Sequence, residues 1–265
     1  MAPRLAQIAL RLRATQPLPR HNIADLGPFF QGALMELLAP EYAEHLHALA
    51  VNPYSQHVIA DATSEQAAPL VRWVIKTLDD EAAAHITAPF TGGAVQRVAL
   101  SNPGIVFGVE DVSAGPSLTT ADLNSIFYSG SASSRFRVVF QTPTSFRTQG
   151  SYTFWPEPRL VFQSLALKHA AAFDGDQPDQ ELVDELGRSI LLTSYRLASR
   201  PFKVGATRIP GFTGSAVFSV RGAPTFRNYV EMLLRFGEFS GCGIKSSMGM
   251  GAIAVEAILR KDQAA

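Results

Sequence analysis

The sequence predicts an α+β protein made of two tandem ferredoxin-like modules. Three observations lead there. Each half of the chain reads as strand–helix–strand, strand–helix–strand. A polar stretch of small residues, Ser129-Gly130-Ser131-Ala132-Ser133-Ser134, separates the halves. The 265 residues are 46% hydrophobic and 17% charged, which is enough apolar material for one large domain or two small ones and excludes a disordered chain. The predicted division places one module at residues 1–130 and the other at residues 131–265.

In order along the chain, Ile8, Leu10 and Leu12 alternate with smaller or charged residues over 4–13, as a strand requires. A Pro-rich link, Gln16-Pro17-Leu18-Pro19, follows. A helix is expected from near Pro28, with Asp25 or Gly27 at its start and Phe29, Phe30, Ala33, Leu34, Leu37 and Leu38 at helical spacing. Pro40 breaks it, and Glu41 to Leu49 forms a second short helix. Leu70 to Leu78 alternates as a strand, and Asp79 to His85 suits a short helix. Residues 92–110 hold short apolar runs broken by Gly92-Gly93 and Asn102-Pro103-Gly104. In the second half, Arg135 to Gln141 reads as a strand, Leu160 to Ala172 and Gln180 to Leu192 as helices, and Ala216 to Val220 as a strand. Phe226 to Phe239 then reads as a helix and Gly251 to Ile258 as a closing strand.

Net charge is formally zero, but its distribution is uneven. Residues 1–130 hold 7 Lys+Arg against 12 Asp+Glu, and residues 131–265 hold 16 against 11, so a polyanion is expected to dock mainly on the second half. The single cysteine, Cys242, cannot form an internal disulfide framework or an all-cysteine zinc site, and a reducing cytoplasm is the expected location. No apolar run is long enough to span a membrane, and arginines interrupt the N-terminus too early for a signal peptide. Asp79-Asp80-Glu81 suits a solvated helix start better than a metal site. No cofactor and no metal ligand set is expected.

The most unusual segment is Gly241-Cys242-Gly243-Ile244-Lys245-Ser246-Ser247-Met248-Gly249-Met250-Gly251, a glycine-rich loop between a helix and a strand. Glycine permits close backbone approach to a phosphate, successive N–H groups can cradle an anion, and Lys245, Ser246 and Ser247 add donors. A tight helix-to-strand turn explains the same glycines equally well. The loop is not a nucleotide-hydrolase phosphate loop, because Ile244 rather than glycine precedes the lysine and the loop precedes a strand.

Three stretches together resemble a known family. They are Leu234 to Lys245 leading into the loop, Phe140-Gln141-Thr142-Pro143-Thr144-Ser145-Phe146 continuing through Phe154-Trp155-Pro156-Glu157-Pro158-Arg159 to Leu165, and Gly211-Phe212-Thr213-Gly214. In order and spacing they are similar to the CRISPR-associated endoribonucleases of the RAMP superfamily that process repeat-containing precursor transcripts. The match covers most of 135–255, with looser likeness at Gln31-Gly32-Ala33-Leu34, Leu46-His47 and Pro53-Tyr54.

The resemblance implies tandem ferredoxin-like (RRM-like) domains and metal-independent cleavage of CRISPR repeat RNA. It implies attack by the RNA's own 2′-hydroxyl to give a 2′,3′-cyclic phosphate, a 5′-hydroxyl and mature guide RNA. It places the acid/base histidine at His47, with His21 and His57 as alternatives and His45 expected to point elsewhere. Imidazole suits such proton exchange near neutral pH. Met35 and Val51-Asn52 stand where some members carry a tyrosine and a lysine, which leaves phosphate stabilisation to Arg20, Lys203 or Lys245. Candidate RNA contacts are Gly241, Gly243, Lys245, Ser246, Ser247 and Gly249 on the loop, with Arg137, Arg147 and Lys203 around it. Phe146, Tyr152, Phe154 and Trp155 are candidates for stacking on a base. Expected partners are precursor crRNA, with other CRISPR effector subunits and a second copy of the chain as further candidates, and no membrane. The alternative reading is a catalytically inert RNA-binding subunit of a CRISPR effector complex.

Overall fold

Alternation sets the first strand, and the rest of the first module closes over it. Ile8, Leu10 and Leu12 are buried on one face of β1 (Arg4–Ala14). The structure, a computed structural model, describes residues 4–18, 23–61, 69–131, 133–173 and 177–258. After β1 come α1 (Gly27–Leu37) and α2 (Pro40–Ala48), then the strands β2 (Tyr54–Ala60) and β3 (Leu70–Thr77). Pro40 separates the two helices by forcing Ala39 into an extended conformation. A broken helical segment follows: α3 (Asp80–Ala82), a π-turn Ala83–Thr87 and α4 (Ala88–Thr91). Then come β4 (Arg97–Leu100), β5 (Ile105–Ala114), β6 (Leu118–Thr119) and α5 (Thr120–Ser129). The strands lie in the order β2-β3-β1-β5-β4, all neighbours antiparallel, with β6 on β1. Trp73 of β3 centres this core, with ring centroids 4.9 Å from Phe30 and 5.4 Å from Phe90.

The second module repeats the order. It comprises β7 (Arg135–Thr144), the hairpin β8 (Phe146–Thr148) and β9 (Ser151–Thr153), α6 (Pro158–Phe173), α7 (Gln180–Ser189) and β10 (Ile190–Ser199). The hairpin β11 (Phe202–Val204) and β12 (Thr207–Ile209), β13 (Phe212–Val220), α8 (Pro224–Ser240) and β14 (Ile253–Ala257) complete it. Its sheet runs β10-β13-β7-β14, antiparallel throughout. The second sheet has the arrangement second–third–first–fourth strand, which is ferredoxin-like, and the first has the same arrangement with β5 in the fourth place and β4 added outside it. Phe136, Val138 and Phe140 of β7 pack with Phe162 and Leu165 of α6 and with Leu233 and Phe236 of α8. Among the described residues no helix is long and apolar enough to cross a membrane.

Several elements differ from the expectation. The helix expected to reach Leu192 ends at Ser189, and Ile190 begins β10 opposite Val220. The apolar run Ile190-Leu191-Leu192 continues the helical spacing, but cross-strand pairing decides its conformation. β2 is invisible to alternation because Ser55, Gln56 and His57 are buried beside its apolar residues. α5 lies where none was expected, although Thr119 and Asp122 form a capping box at its start. α5 also contributes Leu123 to the second core, as do Leu5 and Leu78 from the first module. The Pro-rich link continues at Pro19 into residues outside those described, as does Ala132 of the polar linker.

The buried polar residues of β2 hold the modules together. Gln56 Nε2 donates to the Gly27 carbonyl at 2.9 Å and to the Ser247 carbonyl at 3.1 Å, while its Oε1 accepts from Trp73 Nε1 at 3.0 Å. One side chain thus joins the start of α1, the first core and the glycine-rich loop of the second module. Ser55 Oγ donates to the Phe239 carbonyl and Lys76 Nζ to that of Glu238. Gln56→Leu fills the same space but strands three buried partners. Each such group costs about 1–3 kcal/mol, so the variant should lose at least about 3 kcal/mol of unfolding free energy in urea titration. A loss below about 0.5 kcal/mol would show that the amide does not couple the modules.

Candidate functional site

The glycine-rich loop folds back on itself before it meets anything else. Lys245 adopts a left-handed conformation (φ 55°), and its carbonyl accepts from the N–H groups of Met248 (3.0 Å) and Met250 (3.2 Å) around the 3-10 turn Ser246–Met248. Glycine is required where the loop touches its supports. A Cβ on Gly243 (φ 82°) would sit 2.3 Å from the Ser145 carbonyl oxygen, and one on Gly251 (φ 72°) 1.9 Å from that of Cys242. Gly241 and Gly249 are buried turn positions of the same loop. These glycines therefore serve internal packing first, and any anion meets a loop that is already shaped.

The three sequence stretches that carry the resemblance converge on this loop. Pro143 and Ser145 accept from Gly251 and Ile244 N–H at 3.0 Å each. Ser164 Oγ on α6 accepts from Gly243 N–H at 2.8 Å. The β11–β12 hairpin, which leads into Gly211, packs Phe202 and Ile209 on Met250.

One residue that sequence reasoning missed holds the loop from beneath. Lys168, one helical turn after Ser164 on α6, donates to the carbonyls of Ser240 (3.1 Å) and Gly241 (3.0 Å) and to Ser246 Oγ (3.0 Å). All three ammonium hydrogens are thereby engaged. The available signal was a polar pair, Ser164 and Lys168, at i, i+4 spacing on α6. Burial lowers the Lys168 amine to about 8, offset in part by Cys242. Burial likewise lowers Lys76 to about 8, with Glu238 opposing the shift.

Loop, α6, the β8–β9 hairpin and the first module enclose a cleft of about 630 Å³. Lys245, Ser246, Ser247 and Gly243 line it together with Arg147 of β8, Gln31 of α1 and the segment Ala50–Asn52 that follows α2. Lys245 and Arg147 are exposed at its walls. Arg159 also lines it, with its guanidinium paired to Asp184 at 3.1 Å. Ser247 is buried, with Asn52 Nδ2 donating to its hydroxyl at 3.5 Å, so it is first a tie between modules. Ser246 accepts from Lys168, which leaves the Ser246 hydroxyl hydrogen to be donated into the cleft.

The remaining candidates lie elsewhere. His47 is exposed in the last turn of α2, just before the Ala50–Asn52 wall, and is not itself a lining residue. His45, also exposed, has its ring 5.9 Å from Tyr42. His57 is 4% exposed in a second cavity of about 280 Å³ between the two sheets, and burial and then Lys76 push its imidazole down to about 3. Both causes favour the neutral imidazole at physiological pH. Arg137 is exposed on β7 between Val217 and Glu256, and Lys203 lies on β11 with its N–H on Asp25 Oδ1 at 3.2 Å. Neither lines the cleft. Phe146 does border the cleft, but it is 4% exposed and packs near Phe212 in the core, which leaves little of its ring for a base to stack on. Arg20 and His21 lie outside the described residues.

The two depressed lysines carry a pH signature. Between about pH 8 and an ordinary lysine value near 10.4, the unfolded chain binds more protons than the folded one, so stability rises with pH. Above about pH 9 the buried Cys242 thiol, pushed up to about 12, acts in the opposite sense. The urea midpoint should therefore climb between about pH 7.5 and 9, and in Lys168→Met it should climb roughly half as much, one of two contributors being gone. A wild-type midpoint that falls across this window would contradict the burial of charged lysine at both sites.

A family model described as CRISPR-associated endoribonuclease Cas6 matches residues 138–253. The chain is 45% identical over 263 residues to the CRISPR-associated endoribonuclease Cas6 of Mycobacterium tuberculosis, covering 99% of this chain and 82% of that one. It is 39% identical over 246 residues to the Cas6 of Streptococcus thermophilus, covering 91% and 95%. A Cas6 solved as a product complex superposes with a TM-score of 0.74 at 26% identity, covering 96% of this chain and 99% of that one. With the doubled ferredoxin-like order, the converging loop motifs and these likenesses, the chain belongs to the CRISPR-associated endoribonuclease Cas6 family.

Proposed function

We propose that this chain cuts CRISPR repeat RNA within precursor transcripts, and that the cleft between its modules holds the phosphodiester that breaks. One observation carries the reading: donors of the second module's loop face the same cleft as the segment that directly follows the helix bearing His47. RNA carries its own nucleophile, so the protein's task is to align, to move a proton and to offset charge. His47 Nδ1 or Nε2 takes the 2′-hydroxyl proton, or in its protonated form supplies one to the departing 5′-oxygen. The products are a 2′,3′-cyclic phosphate and a 5′-hydroxyl. As negative charge grows on the phosphoryl oxygens, Lys245 and Arg147 face it as cations. Ser246 donates a hydrogen bond strengthened by the ammonium of Lys168 behind it. Arg137 and Lys203 touch only RNA that runs beyond the cleft, where they bind phosphates and fix register.

No step in this sequence requires a metal ion, since the nucleophile is internal and the charge is met by side chains. Repeat RNA should accordingly be cut in EDTA, and RNA with a single 2′-deoxy substitution upstream of the scissile phosphate should bind but not be cut. Both are read by gel separation of end-labelled RNA. Activity that vanishes in chelator and returns with magnesium would reject the scheme, as would efficient cutting of the deoxy RNA.

His47→Ala should lower the single-turnover rate by roughly 10²–10⁴-fold while RNA affinity changes little. His45→Ala is the control, being two residues away on the same helix, and circular dichroism checks the fold. Unaltered cleavage by His47→Ala removes it from the mechanism. A wild type that binds cognate repeat RNA tightly but never cuts it would instead establish the inert RNA-binding subunit.

A further inference from the structure

Beyond the cleft, residues 186–230 contain no Asp or Glu and seven Lys or Arg. This acid-free run builds β10, both strands of the β11–β12 hairpin and β13. β10 is the outer strand of its sheet, and Thr193, Ser194, Tyr195 and Arg196 are exposed on both of its faces. By register Tyr195 lies opposite the buried Ala216, on the helix side, and Arg196 lies opposite Ser215, on the open side. The two residues are adjacent, with Cα atoms about 3.8 Å apart, so a ring and a guanidinium flank an edge one backbone thick.

Tyr195 does not stand alone. Its ring meets Trp155 edge to face, with centroids 4.8 Å apart and planes at 83°. Trp155 is 42% exposed and Tyr195 58%. A right-angled pair does not consume both rings by mutual stacking, so each keeps at least one flat face clear of the other. Trp155 sits between Phe154 and the sequence Pro156-Glu157-Pro158, where two prolines fix the backbone and lower the entropy lost on binding. The ledge adjoins the cleft through the β8–β9 hairpin. Arg147, a cleft residue, pairs across that hairpin with the exposed Tyr152, and the chain runs from Tyr152 through Phe154 to Trp155.

We propose that Trp155 and Tyr195 form a stacking site for an unpaired base of the bound RNA outside the cleft, with Arg196 taking the adjoining phosphate. Flat aromatic faces beside cations suit a nucleotide, which offers a π-face and an anion within one unit. An acidic partner protein would need no flat ring face, and an apolar one would not seek a strand edge drawn from a run with seven basic residues and no acidic ones. The site deepens the repeat-RNA reading and rests on it: it assigns a second contact, outside the place of cleavage, that adds affinity and fixes register.

Fluorescence anisotropy with labelled cognate repeat RNA tests it. Trp155→Ala and Tyr195→Ala should each weaken binding by about five- to a hundred-fold, the range of a single base stack, and Trp155→Phe should keep most of the affinity. An abasic scan of the repeat should reveal one position where removing the base weakens binding to wild type but not to Trp155→Ala. Arg196→Gln should flatten the slope of log affinity against log salt by about 0.7. Unchanged urea midpoints exclude misfolding of these surface variants. If wild type binds the RNA and the aromatic variants bind equally well, this inference is wrong while the repeat-RNA reading stands. It is equally wrong if the variants alter only self-association, because the charged edge then serves to block strand pairing. If wild type ignores repeat RNA, both readings fall together.

Discussion

The architecture depends on one buried amide. Gln56 lies in β2, on a strand that faces its own core on one side and the second module on the other. Its amide satisfies Trp73, Gly27 and Ser247 at once. A polar side chain this deep is tolerated only when its hydrogen-bonding groups are met, so its partners are constrained in turn. The start of α1, the ring at the centre of the first core and the carbonyl of a loop some 190 residues later are held in one arrangement. The cleft exists because of that constraint, since its walls belong to both modules.

The glycine-rich loop shows how a binding surface can be made rigid from inside. Its glycines admit the Ser145 and Cys242 carbonyls at distances no Cβ would allow. Beneath it, Lys168 directs its ammonium hydrogens to the last carbonyl of α8 and to two loop oxygens. A lysine so engaged does not grip an incoming phosphate. It acts through Ser246, whose oxygen receives the ammonium and whose hydrogen is left to donate. Direct charge in the cleft comes from Lys245 on the loop and Arg147 on β8. Arg159, although it lines the same space, is occupied by Asp184.

Charge is also divided between the modules by role. The first module carries the acidic excess, and its contribution to the cleft is neutral: Gln31 and the Ala50–Asn52 segment. The second supplies the cations, and its longest acid-free stretch builds the outer edge of its sheet. Under the proposed function, the second module's cations steer the RNA, and His47 stands on the helix whose following segment brings the first module to the cleft. Arg196, the one charged residue of the outer strand β10, also discourages edge-to-edge pairing with other chains.

The sequence alone determined the doubled strand–helix order, because hydrophobic periodicity is local and β1, α1, β7, α6 and α8 each bury one clean face. It also determined that the glycine-rich loop and the stretches at 140–165 and 211–214 act together, since their order and spacing survive in the linear chain. Tertiary structure decided the rest. β2 could not be read from periodicity because its polar residues are buried against a partner 184 to 191 positions away. Ile190 to Leu192 left the helix for the sheet because Val220, Ser219 and Phe218 were there to pair with them. Lys168 looked like an ordinary helix residue until folding brought three oxygens to its amine. Arg137 and Lys203 looked equivalent to Arg147 as basic neighbours of the motifs, and only their positions on three different strands set them apart. Local chemistry specifies elements, whereas which polar groups become partners depends on contacts between residues far apart in the chain, and those exist only once the two modules have closed on each other.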